Sequence, residues 1–225
     1  MDITEKITEL LAVVKRHSNG PVADSMRELG VEYAVNYGVS TPTLRMIAGQ
    51  FSPDHDLAHA IFHKDVRELK LLAFLIADPM QVNMNETEFW KRGITNPELA
   101  ENLAMNLLGW SGVAHDVLLS WSLSDDPMLI YAAMLTGNRA LIASENDPDW
   151  DWDAIGGRIS RALECDNRIV WRGACSLMTR ILQKAPGQEV MVKKIIADTE
   201  EKQLPCVTFL REELTWELNR KPEVL

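Results

Sequence analysis

The chain has 225 residues, 46% of them apolar and 25% charged, with a net charge of −10 and a pI near 5.0. That composition builds a globular core, and no apolar run nears the ~20 residues that a bilayer-spanning helix needs. It argues against promiscuous nucleic-acid binding, because phosphate affinity grows with the number of Lys and Arg contacts. The acidic start Met1–Lys6 lacks a signal-peptide core. Cys165, Cys175 and Cys206 lack metal or disulfide spacing. They read as buried thiols of a reducing compartment, so the expected location is cytoplasmic.

Helical periodicity dominates, with no sustained period-2 alternation and no hairpin signal. Ile3, Ile7, Leu10, Leu11 and Val14 share one face of a first helix, which ends before Asn19-Gly20-Pro21. Val22 to Leu29 forms a second, ending at Gly30. Thr41-Pro42 has the chemistry of a cap followed by a first-turn proline, opening a helix that carries Leu44, Ile47 and Phe51. Leu57 to Phe62 and Leu69 to Ile76 then read as a helical hairpin closing at Asp78-Pro79.

A short Asp or Asn turn followed by an apolar-periodic helix recurs at Asp65, Asn96, Asp126 and Asp166, at spacings of 31, 30 and 40 residues. That is the period of a two-helix repeat in which each hairpin buries its apolar side against the next. The longest interval holds the acidic stretch 145–153, expected as a loop because five acids, a proline and two tryptophans fall in nine residues. Gly156-Gly157 is expected at the start of the following helix, Asp198 at the start of a last unit, and Val207 to Leu218 as the closing helix. The predicted fold is all-α: an α-α superhelix, a HEAT-like or ARM-type solenoid of about six helical hairpins, forming a single domain over residues 1–225. An irregular helical bundle has the same local signals. A solenoid offers an extended surface that suits a large ligand better than a small metabolite.

No phosphate loop, dinucleotide fingerprint or nucleophile elbow is present, so no nucleotide or other cofactor is expected. His55, His59 and His63 stack at i, i+4 and i+8 beside Asp56 and Asp65. Without the glutamate of H-E-x-x-H they read as a solvated or inter-repeat face of an amphipathic helix, and no metal site is assigned. Positive charge concentrates from Ala154 to Ile195, where eight bases meet three acids for a local +5, leaving −15 on the remainder. Within it, Arg168, Trp171 and Arg172 set an aromatic among cations at helical spacing, an arrangement that suits a nucleic-acid backbone or a stacked base. Arg158, Arg161, Lys193 and Lys194 extend this candidate face. Core or groove packing is the better reading for the tryptophans taken singly, with Trp171 weighed for the surface.

Tyr37-Gly38-Val39-Ser40-x-Pro42-x-Leu44-Arg45, then Leu57-Ala58, Glu68-x-Lys70-Leu71-Leu72-Ala73, Asp78-Pro79 and Met105-Asn106-Leu107-Leu108, follow one another in the order found in the AlkD-like DNA alkylation repair proteins. The chain resembles that family of HEAT-like repeat DNA glycosylases over roughly residues 30 to 185. The resemblance implies excision of N3- or N7-alkylated purines. A carboxylate near the sugar stabilises the oxocarbenium-like charge and aromatics contact the cationic lesion. It implies DNA as partner, with Arg45 joining the basic face, and no membrane. In the family the chemistry sits on a W-D-x-x-D helix start, an Arg on a later helix and a Trp on the one after. Aligned on Met105-Asn106-Leu107, this chain has Pro97 to Glu101 at the first of these. The tryptophan is missing there and Glu98 or Glu101 is the candidate carboxylate; the later positions fall near Tyr131 and Ser176. Two readings stay open: a glycosylase relying on Glu101 or Glu98, and a non-catalytic module that binds branched or damaged DNA or a protein partner.

Overall fold

The computed structural model describes residues 2–144 and 148–219. Part of the acidic stretch, Glu145 to Asp147, lies outside the described residues. Thirteen α-helices make up the described chain, with no strand among these residues beyond a single bridge pairing Val35 and Val66. They fall into two compact units, 1–107 and 108–225.

The first unit holds α1 (Ile3–Arg16), α2 (Gly20–Glu28), α3 (Thr41–Ala48), α4 (His55–Phe62), α5 (Arg67–Ile76), α6 (Met84–Lys91) and α7 (Pro97–Asn106). Helix starts follow the short polar residues: Asp2 closes a capping box with Glu5, and Asn19, Ser40, Asp54, Asn83 and Asn96 each accept from first-turn backbone N–H groups. The cap ahead of Pro42 is thus Ser40, not Thr41, which already lies in the helix. Helix α5 packs on α3, α4 and α7, so consecutive second helices lie side by side as a repeat stack requires.

The motif from Tyr37 to Leu44 has a physical explanation in this unit. Glu68 is fully buried, and its two carboxylate oxygens accept from Tyr37 N–H and Val39 N–H at 3.1 and 3.2 Å. Arg67, buried beside it, donates to Val39 C=O at 3.0 Å and to Glu68 at 3.0 Å. Gly38 sits at φ 69°, and an added Cβ would lie 2.1 Å from the Asn19 carbonyl oxygen, so only glycine fits between the loop and α2. The loop is thereby pinned between α2 and α5, and Leu44 drops into the core.

The second unit holds α8 (Ala114–Trp121), α9 (Pro127–Ala143), α10 (Trp152–Glu164), α11 (Arg168–Lys184), α12 (Glu189–Glu201) and α13 (Val207–Asn219). Helix α10 packs on α8 and α12, while α11 packs on α9 and α13, giving two layers of stacked helices. Three expectations are corrected here. Asp151 caps α10, so Trp152 and Asp153 are helical and the loop ends earlier than composition suggested. Gly156 and Gly157 lie inside α10, where Gly156 faces Met191 of α12, instead of opening the helix. Asp198 lies within α12, leaving Leu204-Pro205 as the break before α13. Trp171, Met178, Ile181, Val192 and Leu214 belong to one core.

Cys175 and Cys206 are buried, and burial pushes the Cys175 thiol up to about 12. Native protein treated with a thiol reagent at pH 8 should therefore be labelled first at half-buried Cys165, with Cys175 reacting only on unfolding. Glu68→Gln removes the charge beside buried Arg67 and should cost about 3–5 kcal/mol in urea unfolding.

Candidate functional site

Helices α9 and α11 are the longest and lie against each other. In a chain of net charge −10, neither carries a single acidic residue, while Arg139 stands on α9 and Arg168, Arg172, Arg180 and Lys184 on α11. Their approach is close because Gly173 leaves no room for a Cβ, which would fall 2.8 Å from the Tyr131 ring. The guanidinium of Arg172 lies 5.4 Å from the Tyr131 ring centre, and Asn138 donates to the Ser176 carbonyl across the seam at 2.6 Å. Desolvation, then the like charge of Arg180, holds Arg139 below the usual arginine range. The buried Nε of Arg180 has no hydrogen-bond partner among the described residues. Crowded cations on two helices that carry no acid of their own make this strip a candidate anion-binding surface, although Glu213 and Glu217 of α13 lie near α11.

At one end of the strip stands Trp110, 48% exposed, just ahead of α8. The Arg139 guanidinium stacks over its ring at 3.9 Å. Beside it opens a cleft of about 230 Å³ lined by Trp110, Ser111, Ala114, His115, Ser144 and Trp150, among others, with no carboxylate among the described residues that line it. A tryptophan at a helix start with an arginine from the next helix is thus found at Trp110 and Arg139, not at Pro97 and Tyr131. The residues one and four positions after Trp110 are Ser111 and Ala114, neither of them acidic. Sequence reasoning missed Arg139 and Trp110; the signal was the acid-free run of α9, obscured by aligning on Met105 to Leu107.

The residues picked from sequence are divided among several settings. Trp171 is 7% exposed and its indole N–H donates to the Cys165 carbonyl, so it is a core residue and offers no stacking face. Arg158 and Arg161 turn back onto carbonyls at the end of α8, to Leu119 at 3.0 Å and Leu123 at 3.3 Å, where they satisfy a helix terminus. Arg168 approaches Phe209 of α13, at 6.0 Å. Lys193 pairs with Glu189 on its own helix; Lys194 and Arg45 are exposed. Of this set Arg168 and Arg172 stand on α11, and of these two it is Arg172 that lies over a residue of α9.

In the first unit, Glu98 receives Arg67 Nη2 at 2.5 Å and Nε at 2.9 Å, and Tyr33 O–H at 2.7 Å. Burial and then the Glu98 hydrogen bond raise the Tyr33 phenol well above the ordinary tyrosine range. Burial alone would pull the Arg67 guanidinium down, but Glu98 and Glu68 more than offset it, so the cation is held tightly. Glu98 is committed to a structural ion pair. Glu101, half-buried on the same helix, is also engaged. His55 and His59 are half-buried and face Glu86 of α6, the inter-repeat setting of the two expected, whereas His63 is exposed.

These stacked hairpins define a HEAT-like helical-repeat protein. A sequence model described as DNA alkylation repair enzyme matches residues 10–138, more than half of the chain, and the chain belongs to that family. A solved structure of a protein family described as related to the HEAT-like repeat DNA glycosylases, with affinity for branched DNA structures, is similar in fold. It aligns at a TM-score of 0.74 and 16% identity, over 100% of this chain and 99% of that one. No curated protein matches significantly. No helix among the described residues is long and apolar enough to cross a membrane.

If Glu98 is a structural partner of Arg67, Glu98→Gln should lower the thermal midpoint by several degrees, while an exposed control such as Glu88→Gln leaves it unchanged.

Proposed function

We propose that this protein binds DNA through the α9–α11 strip and does not excise bases. The observation that carries the reading is the composition of the Trp110 cleft: an aromatic with the Arg139 cation stacked on it is present, and no carboxylate stands among the described residues that line it. Cleavage of a glycosidic bond builds positive charge on the sugar, which a nearby carboxylate stabilises. Here Ser111 and Ala114, one and four positions after Trp110, are not acidic, and Arg139 with Arg180 would repel a developing cation. The same cations suit phosphate, which each engages through charge-assisted hydrogen bonds. Glu98 cannot substitute for the missing acid without uncovering Arg67. A protein partner at Trp150 and Trp152 is less favoured, because both rings pack against the core.

The affinity for branched DNA described for the structurally similar protein makes a four-way junction the first ligand to test. Fluorescence anisotropy at low salt should show binding that weakens steeply as salt rises. Arg139→Ala and Arg172→Ala should each weaken it about tenfold and reduce the slope of log K against log salt by about one. DNA carrying 7-methylguanine should release no base. Base release abolished by Glu101→Gln would restore the glycosylase reading, and absence of binding to junction and duplex alike at low salt would remove the DNA reading.

A further inference from the structure

Helix α4 presents His55 and His59 at i and i+4, with ring centres 4.8 Å apart. Glu86 reaches them from α6. Its Oε1 lies 2.6 Å from His55 Nε2 and 2.8 Å from His59 Nε2, and the three ligand atoms all fall within 4.8 Å of one another. The carboxylate is oriented from behind by the Trp90 indole N–H, 3.1 Å from the same oxygen. The His59 ring is fixed by Phe89, stacked at 4.1 Å and 5°. A cleft of about 550 Å³, lined further by Gln81, Asn83 and Asn85, opens in front of the three groups.

We propose that His55, His59 and Glu86 bind one divalent transition-metal ion of the zinc class and thereby tie α4 to α6. Two imidazoles and one carboxylate suit zinc, cobalt or nickel better than magnesium or calcium, which prefer all-oxygen shells. The outward carboxylate support from Trp90 is the kind of second contact that orients metal ligands. A tetrahedral ion with bonds of ~2.0–2.1 Å spaces its ligand atoms about 3.4 Å apart, so His55 and His59, at 2.6 and 2.8 Å from the carboxylate oxygen, need to open from it by about 0.8 and 0.6 Å. Water from the cleft completes the fourth position. His55 Nδ1 accepts from Asp78 N–H at 3.3 Å, which places the metal-free proton on Nε2. Binding through Nε2 moves that proton to Nδ1, so the ring stays neutral and gives up the long hydrogen bond from Asp78 N–H. Asp56, Asp65 and His63 take no part; His63 meets only the edge of Phe89.

The test uses the whole protein, stripped with EDTA and titrated with zinc, its unfolding midpoint followed by circular dichroism. Zinc should raise the midpoint by several degrees at one equivalent bound per chain. His59→Gln and Glu86→Gln should lose the rise, and His63→Gln should keep it. Cobalt should give ligand-field bands without the thiolate charge-transfer band that cysteine ligation produces. This last reading decides the matter should the two variants fold poorly. No stabilisation by zinc, nickel or cobalt overturns the site, as does a rise retained in His59→Gln or a thiolate band in the cobalt spectrum.

Discussion

An arginine that is 4% exposed must be neutralised where it stands, and much of the first unit is arranged around that requirement. A buried guanidinium has five donors and no way of shedding its proton, so every packed neighbour either accepts from it or leaves a costly orphan. Arg67 meets this need with Glu98 on α7, with Glu68 on its own helix and with the Val39 carbonyl. Each acceptor belongs to a different part of the chain. The ion cluster therefore joins the loop before α3, the start of α5 and the start of α7 at one point. Hydrophobic burial could hold these elements together, but it is non-directional and would not select this register.

The same cluster explains why a family-like carboxylate at Glu98 is a poor guide to chemistry. A carboxylate serves a reaction when its charge is available to a developing cation. Here the cation is already present, covalently part of the protein, and hydrogen-bonded twice. Burial around Tyr33 completes the commitment.

Much of the architecture was legible in the chain because helix starts are written in short polar residues and prolines. Asn96, Asp126 and the Ser40-Thr41-Pro42 turn act within three or four residues, where local chemistry decides the outcome. The errors fell where tertiary packing overrides such signals. Asp198 resembles a cap but is carried through α12 by the burial of Ile195 and Thr199 around it. Gly156 resembles a breaker but admits the side chain of Met191 from α12. The candidate site was less legible for a related reason. Charge counted along the sequence mixed Arg158 and Arg161, which close the end of α8, with Arg172, which faces α9. Trp171 carried the right neighbours in sequence and the wrong direction in space. Arg139 stood alone in an apolar run, and only the ring of Trp110 stacked beneath it reveals its place. His55 and His59 were visible as a pair, but their carboxylate comes from a helix 27 residues after His59, beyond the reach of any local pattern.

The glycines at the α9 seam bear on more than packing. Gly173 admits Tyr131, and Gly137 admits Leu118 and Leu177, so α9 is held close on two sides. Close helices make a narrow strip, and Arg139, Arg172 and Arg180 are confined to it. What an approaching anion experiences is then charge density, not the total charge of the strip or the chain. A single methyl group added at Gly173 would spread that density without removing any charge, weakening the electrostatic surface by geometry alone.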